Sequence, residues 1–197
     1  MKQSLILFSL FLCCNYGSGQ LNSINEFNTK RIKITRQSMG VLGGWGAANL
    51  LYSGIEVGSA TGSNKYFHRM NLIWGGVNFT LGSIGFLFTK NKDGLDYSQS
   101  LKKQISIEKV YLFNAGLDVA YVAGGFYLKE RANQNIAKYD QYRGYGKSII
   151  LQGAALFLFD GIMYLVHQNH GKNLFKIPAN MQIGIRENGI NCLVNFK

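Results

Sequence analysis

Proline occurs once in 197 residues, as Pro178; cysteine occurs three times, and ten acids face 21 lysines and arginines. With one proline the chain has few preset turns, which disfavours a hairpin-rich fold. Charged residues make up only 16% of the chain, against about 25% in a soluble domain. Together with 47% hydrophobic residues, that shortage excludes a disordered chain and argues against an ordinary soluble one. The 24 glycines show no three-residue period, so a collagen triple helix is excluded. The length suits one domain. Missing as well is any defensible Ser/His/Asp or Cys/His arrangement, so the residues point away from an enzyme and call for no cofactor. Gly40–Gly46 is glycine-rich like a phosphate loop, but no strand precedes it and no Lys-Ser/Thr follows.

What is present begins with an address. Lys2 precedes an apolar run from Leu5 to Cys14, too short for a bilayer core that needs about 20 residues. Gly17-Ser18-Gly19 then supplies small residues for cleavage, so residues 1–19 read as a secretory signal. A lipoprotein signal on Cys13 or Cys14 is the rival, but Leu12 is bulky where such sites take small residues. Cleavage would leave Cys192 alone, without an intramolecular disulfide.

Four apolar stretches follow: 39–60, 70–88, 110–128 and 148–166. None contains Lys or Arg, whereas the polar segments between them are rich in both. Uniform length and clean flanks fit transmembrane helices, and the basic excess reads as anchoring to anionic headgroups rather than to nucleic acid. Gly40 and Gly44 form a Gly-x-x-x-Gly pair suited to close helix packing. A soluble bundle would need a wide charged face on every helix, and a β-barrel would need period-two alternation. Neither pattern is present. Orientation is contested: a cleaved signal puts the amino end outside, yet the charge count then opposes the positive-inside tendency. In the tail, 181–186 and 190–196 alternate about Asn188-Gly189, a strong hairpin turn.

The four stretches carry polar residues where lipid satisfies none. Trp45, Asn49, Tyr52 and Glu56 share a helix face by their spacing. So do Asn71, Gly75 and Asn78; Asn114, Asp118 and Tyr121; and Gln152, Asp160 and Tyr164. Such seams should turn inward and meet. Antiparallel packing would bring Asn49, Asn78, Asp118 and Asp160 to similar depth, with Asn114 a turn away and Glu56, His68 and Asn71 toward one end. The site candidates are therefore Asn49, Glu56, Asn78, Asn114, Asp118, Tyr121, Gln152 and Asp160. No intramembrane cation faces the two aspartates, so an uncharged, hydrogen-bonded state is the leading reading. A wet proton or cation path, or a polar ligand site, is the alternative. His167 and His170 could offer two metal ligands, but nothing nearby in sequence completes a site.

Gly44-Trp45-x3-Asn49, Tyr66-Phe67-His68-x-Met70-Asn71 and Asn114-x2-Leu117-Asp118-x2-Tyr121-x3-Gly125 carry a resemblance, continued by Arg143-Gly144-Tyr145-Gly146, Gln152-Gly153 and Phe159-Asp160. Over about residues 36–170 the chain resembles an uncharacterised bacterial family of small four-span membrane proteins with amino-terminal signals. The resemblance implies architecture and placement, with no activity to transfer.

The expectation is an all-α membrane protein: a four-transmembrane-helix bundle over 39–170, a signal at 1–19, a basic juxtamembrane segment at 20–38, and a tail at 171–197 with a short β-hairpin. It would sit in the bacterial inner membrane as a binding or scaffold component of an envelope assembly, against anionic lipid and with a membrane protein partner or a second copy. A small transporter or proton- or cation-conducting subunit is the alternative.

Overall fold

The computed structural model describes residues 2–90, 94–177, 182–186 and 189–193, with side chains described for 23–90 and 94–177. Among the described residues, four α-helices make up the bundle: α1 (Lys2–Glu56), α2 (Gly62–Phe88), α3 (Tyr97–Asn133) and α4 (Tyr139–Gly171). No proline falls within them, so nothing in the backbone stops a helix where the apolar stretch ends. Each helix therefore continues into the charged segments expected to be connections. Residues 20–38 are a continuation of α1 rather than a separate segment, and α3 starts well before Val110. The signal read at 1–19 lies outside the residues whose side chains are described.

Short polar turns join the helices. The Asp96 side chain accepts from the Gln99 amide at 2.7 Å and starts α3, satisfying one of the orphan donors of a helix amino end. Gly62 opens α2 with φ of 55°, a left-handed backbone that glycine adopts without steric cost. In the tail, β1 (Gln182–Arg186) and β2 (Gly189–Leu193) pair antiparallel, with Ile183 opposite Cys192 and Ile185 opposite Ile190. The turn position Asn188 lies outside the described residues.

Packing divides the helices into two tight pairs, α1 with α2 and α3 with α4; α2 then meets α4, while α1 touches α3 only sparsely. Glycine makes the pairs tight. A Cβ on Gly46 would fall 2.8 Å from the Gly75 carbonyl oxygen, and one on Gly125 would fall 2.8 Å from the Gly146 carbonyl oxygen. Gly43 and Gly82 abut in the same way. The Gly40/Gly44 pair singled out in the sequence is not this seam: a Cβ on Gly44 would meet nothing within 4 Å. Gly40 faces the Phe86 ring of α2 at ordinary contact distance, whereas Gly43 and Gly46 are the ones set against α2 backbone.

The burial pattern is inverted relative to a soluble bundle. Asn28, Asn49, Asn71, Gln104, Asp118, Gln152 and Asp160 are buried, while large apolar side chains on all four helices face outward, Leu51 at 69% and Phe113 at 68% among them. Among the described residues, two helices are long and apolar enough to cross a membrane, α2 and the one running through Ile136–Lys176. The stretches 39–60 and 110–128, expected to match them, are less apolar. Repeated glycine and Glu56 dilute the first, and Asn114, Asp118 and three glycines dilute the third.

Gly46→Leu should break the α1–α2 seam, because the new side chain collides with α2 backbone. A loss of at least about 1–3 kcal/mol is expected, read as a lower thermal midpoint in detergent. Gly44→Leu should leave that midpoint within about 0.5 kcal/mol of the parent.

Candidate functional site

Buried polar side chains gather in groups along the helix interior, and all the sequence candidates except Glu56 divide between two of them. The first is centred on Gln152 of α4, fully buried. Its amide nitrogen donates to Asn49 Oδ1 at 2.7 Å and to Asn71 Oδ1 at 3.1 Å, while its Oε1 accepts from Trp45 Nε1 at 2.9 Å. Ser148 Oγ donates to the same Asn71 oxygen at 2.6 Å, and Asn49 Nδ2 returns to the Trp45 carbonyl at 2.8 Å. One glutamine thus ties α1, α2 and α4. A turn or so away, His68 of α2 lies 3.3 Å from Ser53 Oγ of α1.

The second group surrounds a cavity of about 380 Å³, lined from all four helices. Asp118 of α3 and Asp160 of α4 are neighbours in its wall, with Asn114 beside Asp160. Among the described residues no lysine or arginine lines the cavity. Asn78 lines the cavity from α2 and Tyr121 from α3, with Tyr121 edge-on to Trp74 at 5.1 Å between ring centres. The rest of the wall is mainly Met39, Leu42, Val77, Leu81, Val110, Leu117, Leu156 and Phe159.

Asn49 and Gln152 thus belong to the three-helix network, and Asn78, Asn114, Asp118, Tyr121 and Asp160 to the cavity. Glu56 joins neither: it is the last residue of α1, half-buried at the end of the bundle. Asn71 and His68 are also parted from it, the first drawn to Ser148 and Gln152, the second to Ser53. The expected meeting of all four seams is split because α1 and α3 pack against each other only sparsely.

A third polar cluster was missed. At the opposite end from Glu56, Asn28 Nδ2 donates to Ser100 Oγ at 2.9 Å and Arg31 to the Ser100 carbonyl at 3.1 Å. Gln104 Nε2 donates to the His167 carbonyl at 2.6 Å and to Glu108 at 2.8 Å. His170 Nε2 donates to the Phe27 carbonyl at 3.1 Å, with the two rings stacked 4.3 Å apart. These residues sit in segments whose charge reads as solvated connection. The only sequence signal was helical spacing, Asn28, Arg31 and Thr35 on one face and Ser100, Gln104 and Glu108 on another. Burial lowers the pKa of His170 below that of an ordinary imidazole. The Lys30 and Arg31 cations add to that effect, and the bond to Phe27 opposes it.

The fold and its interior define a class: an all-helical four-helix chain that buries its amides and acids and turns its apolar side chains outward. The chain belongs to a family of unknown function (DUF6992), whose model matches residues 41–161. No curated protein and no solved structure matches the chain. The matched region holds every residue of the Gln152 network and both aspartates, and leaves out Asn28, Arg31, Ser100's partners beyond it on α1, and His170.

Gln152→Leu strands the Trp45 indole N–H and removes the shared donor of Asn49 and Asn71. It should cost about 1–3 kcal/mol, measurable as a shift in the denaturation midpoint in detergent. The His170 end should respond to pH. Its folded-state pKa is depressed, so its contribution is present above the unfolded value of about 6.5 and is lost as pH falls below it. Thermal midpoints between pH 8 and 5 should decline more steeply for the parent than for His170→Gln.

Proposed function

We propose that this chain is a four-span integral membrane protein of a bacterial envelope, placed in the inner membrane, whose bundle binds and holds a partner molecule rather than conducting ions. The observation that carries this reading is the cavity beside Asp118 and Asp160. Asn78, Asp118 and Asp160 in its inner wall are buried, most of the remaining wall is apolar, and among the described residues no lysine or arginine lines it. Outward-facing Leu51, Ile73, Phe113, Val119, Phe157 and Leu165 on the four helices support full immersion in lipid, because water would leave that surface costly. The overlong helices support it too. A bundle in lipid is free to extend its charged ends through the headgroup zone, which explains why α1 and α3 run past the apolar stretches.

One end of the bundle carries exposed Lys30, Lys33 and Arg36 on α1 with Lys102, Lys103 and Lys109 on α3. Arg36 also lies over the Phe86 ring at 4.6 Å. This end would sit against anionic headgroups, each cation contributing about 1 kcal/mol at a charged leaflet.

The competing role is proton or cation conduction through Asp118 and Asp160. Neutral asparagine mimics a protonated carboxyl, so Asp118→Asn and Asp160→Asn separate the two. In proteoliposomes the parent should show no proton or cation flux above protein-free vesicles. Both variants should remain folded, with denaturation midpoints within about 1 kcal/mol of the parent. Flux in the parent that either variant abolishes would overturn the binding role.

A further inference from the structure

The cavity has a mouth. Its lining residues Val77 and Leu81 on α2 and Val110, Leu117 and Tyr121 on α3 are exposed on the outside of the bundle, whereas Asp118, Asp160 and Asn78 at its inner wall are buried. Trp74 against Tyr121 closes one limit of the opening, and Thr35 and Ser106 mark the other. Along α3 the lining runs from Ser106 to Tyr121, about 22 Å at the helical rise per residue. The opening is therefore a slot between α2 and α3, facing sideways into the apolar outer surface rather than toward either end of the bundle.

Two buried side chains in this wall are incomplete. Asn78 keeps an Nδ2 donor, and Asp118 keeps an Oδ2 acceptor, with no hydrogen-bond partner in the protein. Each is about 3% exposed. An unmet buried donor and an unmet buried acceptor each cost free energy, and both line the same cavity.

We propose that this slot is a lateral-access binding site for a neutral, lipid-soluble hydroxyl compound, an alcohol or phenol whose oxygen accepts from Asn78 and whose hydroxyl hydrogen is donated to Asp118. This deepens the binding role above and rests on it. The donor–acceptor pair decides the head group. A carboxylate or phosphate would meet the lone pairs of the aspartates. An ammonium would serve Asp118 and leave the Asn78 N–H directed at a cation. An alkane would leave both groups unmet. A hydroxyl serves both with one oxygen. The Trp74, Tyr121 and Phe159 rings and the Leu, Val and Met side chains then surround the apolar remainder. The volume of about 380 Å³ falls within the range of about 300–1,000 Å³ for small-molecule sites. Entry from the bilayer requires no path through water.

The test uses the full chain in lipid nanodiscs and 4-bromophenol, whose bromine quenches tryptophan on contact. Bromobenzene is the same shape without the hydroxyl. Quenching by 4-bromophenol should saturate, and Trp74→Phe should remove the saturable part. Bromobenzene should bind at least about tenfold more weakly, the value of roughly one hydrogen-bonded pair. Asn78→Leu and Asp118→Leu should bring 4-bromophenol down to the level of bromobenzene. Should those variants fail to fold, competition on the parent protein gives the same answer: 1-octanol should displace 4-bromophenol, and octane should not. Equal binding of 4-bromophenol and bromobenzene overturns the hydroxyl assignment while leaving a binding cavity. Absence of saturable, Trp74-dependent quenching by both overturns the site itself. Proton flux in the parent overturns the binding role beneath it.

Discussion

A helix interior that holds amides and acids stays together only if those groups find each other. Gln152 is where that condition is met most fully. Its side chain uses donor and acceptor at once, on three residues of two other helices, and the Asn71 oxygen it shares is also taken by Ser148. The depths at which α1 and α2 sit against α4 follow from it, since sliding either helix by one residue would break bonds that have no replacement in an apolar setting. The glycine seams then set how near the helices lie, and the amides set their register. Close approach without the amides would leave the pairs free to slide; the amides without the glycines would be out of reach.

Much of this was legible in the residues. The apolar stretches located four helices, and helical spacing placed Asn49, Asn78, Asp118, Gln152 and Asp160 on inward faces, because lipid or core alike leaves a polar group only one direction to turn. Helix ends were less legible. A charged segment such as 97–109 is compatible with loop or helix, and only the absence of proline together with the Asp96 cap favours helix. Which seams would meet was not legible at all. Spacing gives the face of one helix, whereas the sparse α1–α3 packing is a property of four helices together. For that reason Glu56 stands apart, and Asn49 serves Gln152 instead of the acids. The choice of Gly43 and Gly46 over Gly40 and Gly44 has the same origin: several glycines crowd that stretch, and only the partner helix selects among them.

The end cluster around Arg31, Ser100, Gln104 and His170 shows a second limit of reading by composition. Arginine and histidine in a basic segment look solvated. Here Arg31 is 2% exposed and reaches a main-chain carbonyl of α3. It gives α1 a hold on the α3–α4 pair at the end where the apolar stretches have already finished. The two tight pairs are therefore clasped at one end by this cluster and along α2–α4 by Gln152, and the cavity occupies the part of the interior between those clasps.

The glycine seams have a mechanical consequence. Backbone-to-backbone contact leaves no side-chain layer that could compress, so each helix pair behaves as a stiff plate. The α2–α4 contact joins the plates along one line, and the Arg31 cluster pins them at one end.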